Sequence, residues 1–431
     1  MRKIKTFQLF ARLYQALFVG LAVISLFTLQ PTSAQSPTAL PQADREARWR
    51  EDLKFFADEF ASHQMDFSKL YPPTAFKSEL AEIAANLSKL TDVEITLRLM
   101  RLVASANVAH TMVGLPIFRL GFRQLPLEFY WYSDGLAVTA ATSAYSAALG
   151  TRVLRIGAMT PDQLLTAVAP YISHENSAGL RDQSTGYLKT LAVLQHLGAA
   201  GADGRVEFTL AKPGGEPFTL TVSVGDPRVK LVSALDALQV TALYRKHPES
   251  YYWYEYLADA QALYIQYNRC QNDPQLAFKD FARDLFAFAD AHPVQRVVVD
   301  LRFNGGGNSL VIYPLMLGLK ARAALRSHLY VLIGARTFSS AEDAALDFRR
   351  EFQATLIGEP TSGKPNSYGE VKTLTLPNSK LTVQYSTKYY QMIKDADPSA
   401  LEPDLRVPRT LADALAGRDP ALDAALRHPA R

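Results

Sequence analysis

The chain has 431 residues, of which 48% are hydrophobic and 20% charged, a composition that excludes a disordered or fibrous protein and predicts two or three globular domains. The 46 basic and 42 acidic residues give a net charge of +4, and Arg2, Lys3, Lys5 and Arg12 account for that excess. Because the rest of the chain is balanced, its charge predicts no nucleic-acid partner.

Residues 1–34 differ in composition from the rest. The basic stretch MRKIKTFQLFAR precedes the apolar run LYQALFVGLAVISLFTLQ and the small-residue segment PTSAQS. This order predicts a signal peptide cleaved after Ala34, and therefore an exported, periplasmic or secreted protein. Since the apolar run approaches the length of a transmembrane helix, an uncleaved membrane anchor is the alternative.

A polar linker is predicted at residues 35–44 and a helical region at residues 45–119. Apolar residues recur at spacings of three and four in ARWREDLKFFADEFASH, FKSELAEIAANLSKL and DVEITLRLMRLVASANVAH, which predicts three helices. The Gly- and Pro-containing stretch GLPIFRLGFRQLP indicates a boundary near residue 120.

Residues 120–232 are predicted to form a second, α+β domain. LEFYWYSDGLAVTAAT alternates as two strands about Asp134-Gly135, and a helix is predicted to begin at Thr160-Pro161. These elements are typical of a PDZ-like peptide-binding module.

Strands and helices alternate through residues 233–415, and residues 416–431 are predicted to be a C-terminal tail. The apolar strands VQRVVVDLRF, HLYVLIG and ATLIGEP are separated by amphipathic helices. Such alternation predicts an α/β domain in which helices cover a sheet and functional residues gather at the strand ends.

Three strand ends in this domain carry the candidate chemistry. The first ends in Asn304 and three glycines, whose N–H groups can form an anion-binding nest. At the second, in RTFSSAED, Ser340 is predicted to cap a helix while Ser339, at the tip of the turn, is the candidate nucleophile. The third carries Lys364, a candidate base if its amine can be deprotonated. A serine pair that merely starts a helix is the competing interpretation.

Together these segments resemble the tail-specific, or C-terminal processing, serine peptidases and their relatives, the tricorn core peptidase and interphotoreceptor retinoid-binding protein. DLRFNGGG is similar to the oxyanion segment of that family, TFSSAED to its nucleophile turn and GEPTSGKP to its lysine loop. The spacing of Ser339 and Lys364 also matches the family's Ser-Lys dyad.

The resemblance implies a catalytic domain of the ClpP/crotonase type and acyl-enzyme hydrolysis of peptides at Ser339. It further implies an oxyanion hole formed by the N–H groups of Gly306 and Ser340. His110 lies where the tricorn branch carries its histidine base, so Lys364 and His110 are both candidate bases, with Lys364 slightly favoured by spacing. Asp397 is the corresponding candidate for a supporting acid.

The partners predicted on this basis are peptides or unfolded proteins. The eight histidines are scattered without a metal signature, and the sequence predicts neither a metal nor a cofactor. Cys270 is the single cysteine and cannot form an internal disulfide. A non-catalytic peptide- or lipid-binding protein on the same fold is the main alternative, and an esterase is disfavoured because G-x-S-x-G and S-x-x-K are both absent.

Overall fold

Helices dominate the first part of the chain in the computed structural model, which describes residues 41–428. The predicted signal peptide and most of the linker lie outside the described residues. The elements are α1 Gln42–His63, α2 Phe67–Leu70, α3 Pro73–Ala85, α4 Asp92–Ala104 and β1 Met112–Val113. Helix α4 begins at a capping box, in which the hydroxyl of Thr91 accepts from the N–H of Glu94 at 3.2 Å. The three helices predicted from apolar spacing are α1, α3 and α4.

The second region forms an antiparallel sheet with helices. Its elements are β2 Leu127–Tyr132, β3 Gly135–Ala141, β4 Arg152–Ile156, α5 Pro161–Val168, α6 Ser177–Leu188, α7 Leu191–His196, β5 Arg205–Ala211, β6 Phe218–Ser223, β7 Val232–Ser233 and α8 Ala234–Ala237. The sheet order is β2-β3-β4-β5-β6, with β7 paired to β3. Helix α5 begins at the predicted Thr160-Pro161. The PDZ-like assignment of this region stays a prediction.

The third region contains a sheet that is mostly parallel. Its elements are β8 Tyr252–Leu257, β9 Ala262–Tyr267, α9 Phe278–Ala291, β10 Arg296–Asp300, α10 Tyr313–Lys320, α11 Ala323–Arg326, β11 Leu329–Ile333, α12 Ser340–Phe352, β12 Thr355–Gly358, β13 Asn366–Thr375, β14 Thr382–Gln391, β15 Leu405–Arg406, α13 Leu411–Leu415 and α14 Pro420–Arg427. Short 3-10 helices lie at Ser143–Ala148, Ala169–Tyr171, Leu243–Arg245 and Ala258–Ala260. The predicted α/β class is confirmed.

The strand order β15-β12-β11-β10-β9-β8 places the ends of three strands together. Strands β10, β11 and β12 are parallel neighbours, with Asp300 opposite Leu332 and Ile333 opposite Gly358. Since the carboxyl ends of parallel strands meet at one edge, the segments after these strands emerge side by side.

A hairpin absent from the sequence prediction joins the helical region to this edge. Strands β13 and β14 pair with each other, and β14 also pairs with β1, with Met112 opposite Gln384. The segment that leads from α4 into β1, which includes His110, is thereby fixed against the third region.

Helix α14 corrects the predicted C-terminal tail. Its Ala421, Leu422 and Ala425 are buried against the sheet, in one apolar cluster with side chains of β10 and β11. The preceding Asp419 pairs with Arg302 at 2.7 Å. The segment up to residue 428 is therefore part of the core, because its apolar face covers an otherwise exposed face of the sheet.

The alternative of an uncleaved membrane anchor concerns residues 1–34, which lie outside the described residues. Between residues 41 and 428, no helix combines the length and the apolar character needed to cross a membrane.

Candidate active site

The glycine run after β10 packs directly against the turn that carries Ser339. Asn304 is fully buried, its Nδ2 donating to Tyr267 O and its Oδ1 accepting from the N–H of Gly306, both at 2.9 Å. Gly306 has φ +97°, and a Cβ atom there would lie 2.8 Å from the Cβ of Ser339. The close approach of the two backbones therefore requires glycine at this position.

Ser339 has a backbone conformation that L-residues rarely adopt, with φ 54° and ψ −131°. Two hydrogen bonds of Thr337 fix the turn that precedes Ser339. The N–H of Thr337 donates to Gly334 O at 2.8 Å, and its hydroxyl donates to Leu301 O at 2.9 Å. Backbone strain of this kind persists only where the surroundings enforce it, and it is concentrated at functional sites.

The structural roles of Ser339 and Ser340 at the start of α12 differ from the predicted ones. Ser339 is the residue before α12 and Ser340 is its first residue, so the prediction that Ser340 caps the helix is wrong. The hydroxyl of Ser340 instead donates to Gly307 O at 2.7 Å and ties the glycine run to the helix. Ser339 makes no side-chain cap because it lacks the extended backbone that N-cap residues adopt. Its hydroxyl has no hydrogen-bond partner among residues 41–428.

Lys364 lies in the loop after β12 and is paired with Asp397. The distance from Lys364 Nζ to Asp397 Oδ2 is 2.9 Å, and the two side chains are 28% and 58% exposed. The two residues predicted as a base and a supporting acid therefore contact each other.

His110 is buried beside the turn that carries Ser339, with 7% of its surface exposed. Its ring stacks on Phe338, the residue before Ser339, with ring centroids 4.4 Å apart. Its carbonyl accepts from Gln384 Nε2 at 2.9 Å, and its Nδ1 is buried without a partner among the described residues. Burial lowers the pKa of His110 to about 4, so the ring is neutral at physiological pH.

A cavity of about 530 Å³ brings these groups together, and its walls include Ser339, Ser340, His110 and Lys364. The predicted nucleophile and both predicted bases thus share one cavity, although they come from regions far apart in the sequence. Gly306 packs against the turn that carries Ser339, and Asp397 is connected to the cavity by its ion pair with Lys364.

Residues 317–407 match the family model described as Peptidase family S41. The match includes Ser339, Lys364 and Asp397. This part of the chain is therefore similar to the serine peptidases of family S41. The match supports a serine-type peptidase, which implies peptide or protein substrates, and it confirms the resemblance predicted from the sequence.

Solved structures share the fold of this chain. Mature CPAF complexed with lactacystin is 14% identical, with 89% of this chain and 98% of that chain covered and a TM-score of 0.62. Mature CPAF alone is 13% identical, with 89% and 97% covered and a TM-score of 0.61. The photosystem II D1 C-terminal processing protease is 14% identical over 88% of this chain and 98% of that chain, but its TM-score of 0.41 adds nothing to the fold argument. No curated protein sequence gives a significant match.

A loop of the second region holds the loop that carries Lys364, a contact that the sequence did not predict. Asn176 Nδ2 donates to the carbonyls of Thr361, Gly363 and Ser399 at 3.1, 2.9 and 2.8 Å. The carboxylate of Glu175 accepts from the N–H of Lys364 at 3.1 Å. These contacts span between 185 and 223 residues of sequence, and the segment SHENSAG has no signal beyond its polar character.

Glu175 and Glu342 form an acidic layer beneath the Lys364 loop. Burial raises the pKa of Glu175 to about 7, partly offset by its hydrogen bonds to backbone N–H groups. Burial also raises the pKa of Glu342 to about 8, although Thr361 donates to its carboxylate at 3.0 Å. Both groups therefore hold their protons more tightly than exposed glutamates do.

The hairpin β13–β14 supplies another wall of the cavity, through Ser367, Gly369, Glu370, Val371 and Tyr390. The alternating pattern of residues 366–391, with its central Pro377-Asn378 turn, is the signal that could have predicted these strands.

Within residues 41–428, His, Cys, Asp and Glu side chains form no group of three or more that could hold a metal ion.

Proposed function

We propose that this protein is an S41 peptidase that hydrolyses peptide bonds through an acyl-enzyme formed on Ser339. The observation that carries the proposal is the strained backbone of Ser339, whose unpaired hydroxyl lies at the wall of a cavity that also contains two candidate bases. A serine that only started a helix would adopt the extended conformation and cap it.

His110 is the general base in this proposal, and Lys364 is the alternative. The amine of Lys364 donates to the carboxylate of Asp397 at 2.9 Å, whereas a general base must offer a lone pair to the serine hydroxyl. His110 is kept neutral by burial, and its buried Nδ1 leaves Nε2 as the nitrogen available to the cavity. The base would take the proton of Ser339 as its oxygen attacks the substrate carbonyl, and return it to the leaving amine.

The oxyanion hole is assigned to the N–H of Ser340, at the start of α12, with Gly306 as the second donor. The first N–H groups of a helix have no acceptor within it and favour negative charge. The N–H of Gly306 already donates to Asn304 Oδ1, so this donor must share or exchange that acceptor when the oxyanion forms.

Peptide or unfolded protein substrates suit an accessible cavity of about 530 Å³. Export rests on the composition of residues 1–34 alone, and we include it in the proposal on that basis.

Labelling with a fluorophosphonate probe, read by intact-protein mass spectrometry, tests the nucleophile and the base. We expect one adduct on the wild type and none on Ser339→Ala. His110→Ala should lose the adduct, whereas Lys364→Ala should keep it. An adduct on folded Ser339→Ala would refute the assignment of the nucleophile, and the reverse order of the two base variants would transfer the base to Lys364.

A further inference from the structure

The carboxylates around the cavity differ in whether they have a hydrogen-bond or ion-pair partner. Glu342, Asp343 and Glu370 line it together with a single cation, Lys364. Lys364 is paired with Asp397 at 2.9 Å. Because the charge of Lys364 is balanced by Asp397, the net charge of the cavity wall depends on the protonation of the three lining acids.

Two of these acids already have partners. Thr361 donates to Glu342, and burial raises the pKa of this glutamate to about 8, so it is largely protonated at neutral pH. Tyr390 donates its phenolic hydrogen to the carboxylate of Glu370. Asp343 is the remaining acid.

Asp343 lies one helical turn after the nucleophile. Its N–H donates to Ser339 O at 3.0 Å, which fixes the start of α12 relative to the serine. Its side chain is partly buried, and within residues 41–428 its carboxylate has neither a hydrogen bond nor an ion pair. Burial, with a smaller effect of Asp347, raises the pKa of Asp343 to about 6, so the carboxylate is still charged at neutral pH.

A partly buried anion without a partner is unfavourable unless a ligand satisfies it. Four residues of helix span about 6 Å, comparable to the length of an extended lysine side chain. A substrate residue whose carbonyl lies at Ser339 can therefore carry its side-chain cation to Asp343.

We propose that Asp343 forms a subsite for a cationic side chain, lysine or arginine, next to the scissile bond of the substrate. This inference rests on the proposed function, because it uses Ser339 as the point of attack. An ammonium or guanidinium group would form a charge-assisted hydrogen bond with the carboxylate. An apolar side chain of similar length would leave Asp343 desolvated and unpaired. The subsite would therefore discriminate between cationic and apolar side chains of the substrate.

The first test compares two internally quenched peptides that differ only by lysine or norleucine, placed in turn at each position flanking the cleaved bond. We expect the wild type to favour lysine at one position by about ten-fold in kcat/KM, the effect of one charge-assisted hydrogen bond. Asp343→Asn should reduce this ratio to near one. Asp347→Asn, one turn further along α12 and outside the cavity wall, should keep it.

A second test reads the subsite without turnover. Fluorescence anisotropy should show that Ser339→Ala binds the lysine peptide more tightly than the norleucine peptide, and that the added Asp343→Asn change removes the difference. Equal binding of the two peptides overturns the subsite. A lysine preference in binding without cleavage by the wild type instead supports the subsite and refutes the proposed function.

Discussion

The carboxylate of Glu175 accepts a hydrogen bond from the backbone N–H of Lys364 at 3.1 Å, and from the N–H of Ala109 at 3.4 Å. One partly buried side chain thus connects three regions of the chain beside the cavity: the segment before His110, the second region and the lysine loop. The position of both candidate bases depends on this contact, although Glu175 itself is not among the residues that line the cavity.

Glu175→Gln should lower kcat/KM by about ten-fold, because an amide has one acceptor oxygen where the carboxylate uses two. Steady-state kinetics on a peptide substrate would measure this loss, and thermal unfolding would measure stability. Glu207→Gln, on an exposed position of β5, is the matched control and should change neither. A lower Tm with unchanged kcat would show that Glu175 has a structural role only.

Gly306→Ala should reduce acylation by more than about ten-fold, the scale of losing one oxyanion donor. A methyl group at Gly306 would lie 2.8 Å from Ser339 Cβ and 2.9 Å from Phe338 O, so the nucleophile turn must move. Gly305→Ala is the control, because a Cβ atom there meets no atom within 4 Å. Pre-steady-state labelling by the fluorophosphonate would compare the variants, and equal rates would contradict the proposed packing.

The pH dependence of kcat/KM should distinguish the two bases. Since burial lowers the pKa of His110 to about 4, a histidine base keeps its lone pair through neutral pH, and activity toward an uncharged peptide should fall only as the pH approaches that value. A profile that loses activity well above that value would contradict a histidine base.

Glu175 complicates this profile because its pKa is raised to about 7 by burial. The same profile measured on Glu175→Gln removes that contribution. An acidic limb that survives in this variant near neutral pH, together with loss of activity in Lys364→Gln, would assign the base to Lys364.

Glu342 should make the protein less stable as the pH rises. Burial raises its folded-state pKa from 4.5 to about 8, so the stability it contributes is fully present below the lower value and is lost as the pH rises through the higher one. Between about pH 5 and pH 9, the Tm of Glu342→Gln should therefore fall less than that of the wild type. Glu351→Gln, exposed on the same helix, is the control. Parallel Tm curves for all three proteins would contradict the assignment.

Local sequence predicted those features of the site that depend on local structure. The parallel strands follow from apolar runs, and Ser339 and Lys364 lie at the strand ends where the pattern predicted them. The partners of these residues were not predictable in this way. Glu175, Asn176 and the hairpin residue Tyr390 reach the site through contacts between distant segments, to which periodicity and turn signals are insensitive.

The roles of the two serines illustrate the same limit within a single turn. Helix-capping preferences favour Ser340 as the cap, because they describe a serine in extended backbone before an isolated helix. In the folded protein, the Gly306 backbone packs against the turn and Ser340 bonds to Gly307. Tertiary contacts thus impose a conformation on Ser339 that local propensity disfavours.

Ser339→Gly should stabilise the protein while abolishing its activity. The positive φ of 54° is costly for serine but readily adopted by glycine, and relief of such strain is worth about 1 kcal/mol or more. The greater flexibility of glycine in the unfolded chain offsets part of this gain. Ser339→Ala keeps the strain and lacks only the hydroxyl, so it should be inactive with a Tm close to that of the wild type. Chemical denaturation should therefore compare the free energies of unfolding of these two variants, because their difference reports the strain. If Ser339→Gly is no more stable than Ser339→Ala, the turn stores no strain, and the structural argument for Ser339 as the nucleophile loses its main support.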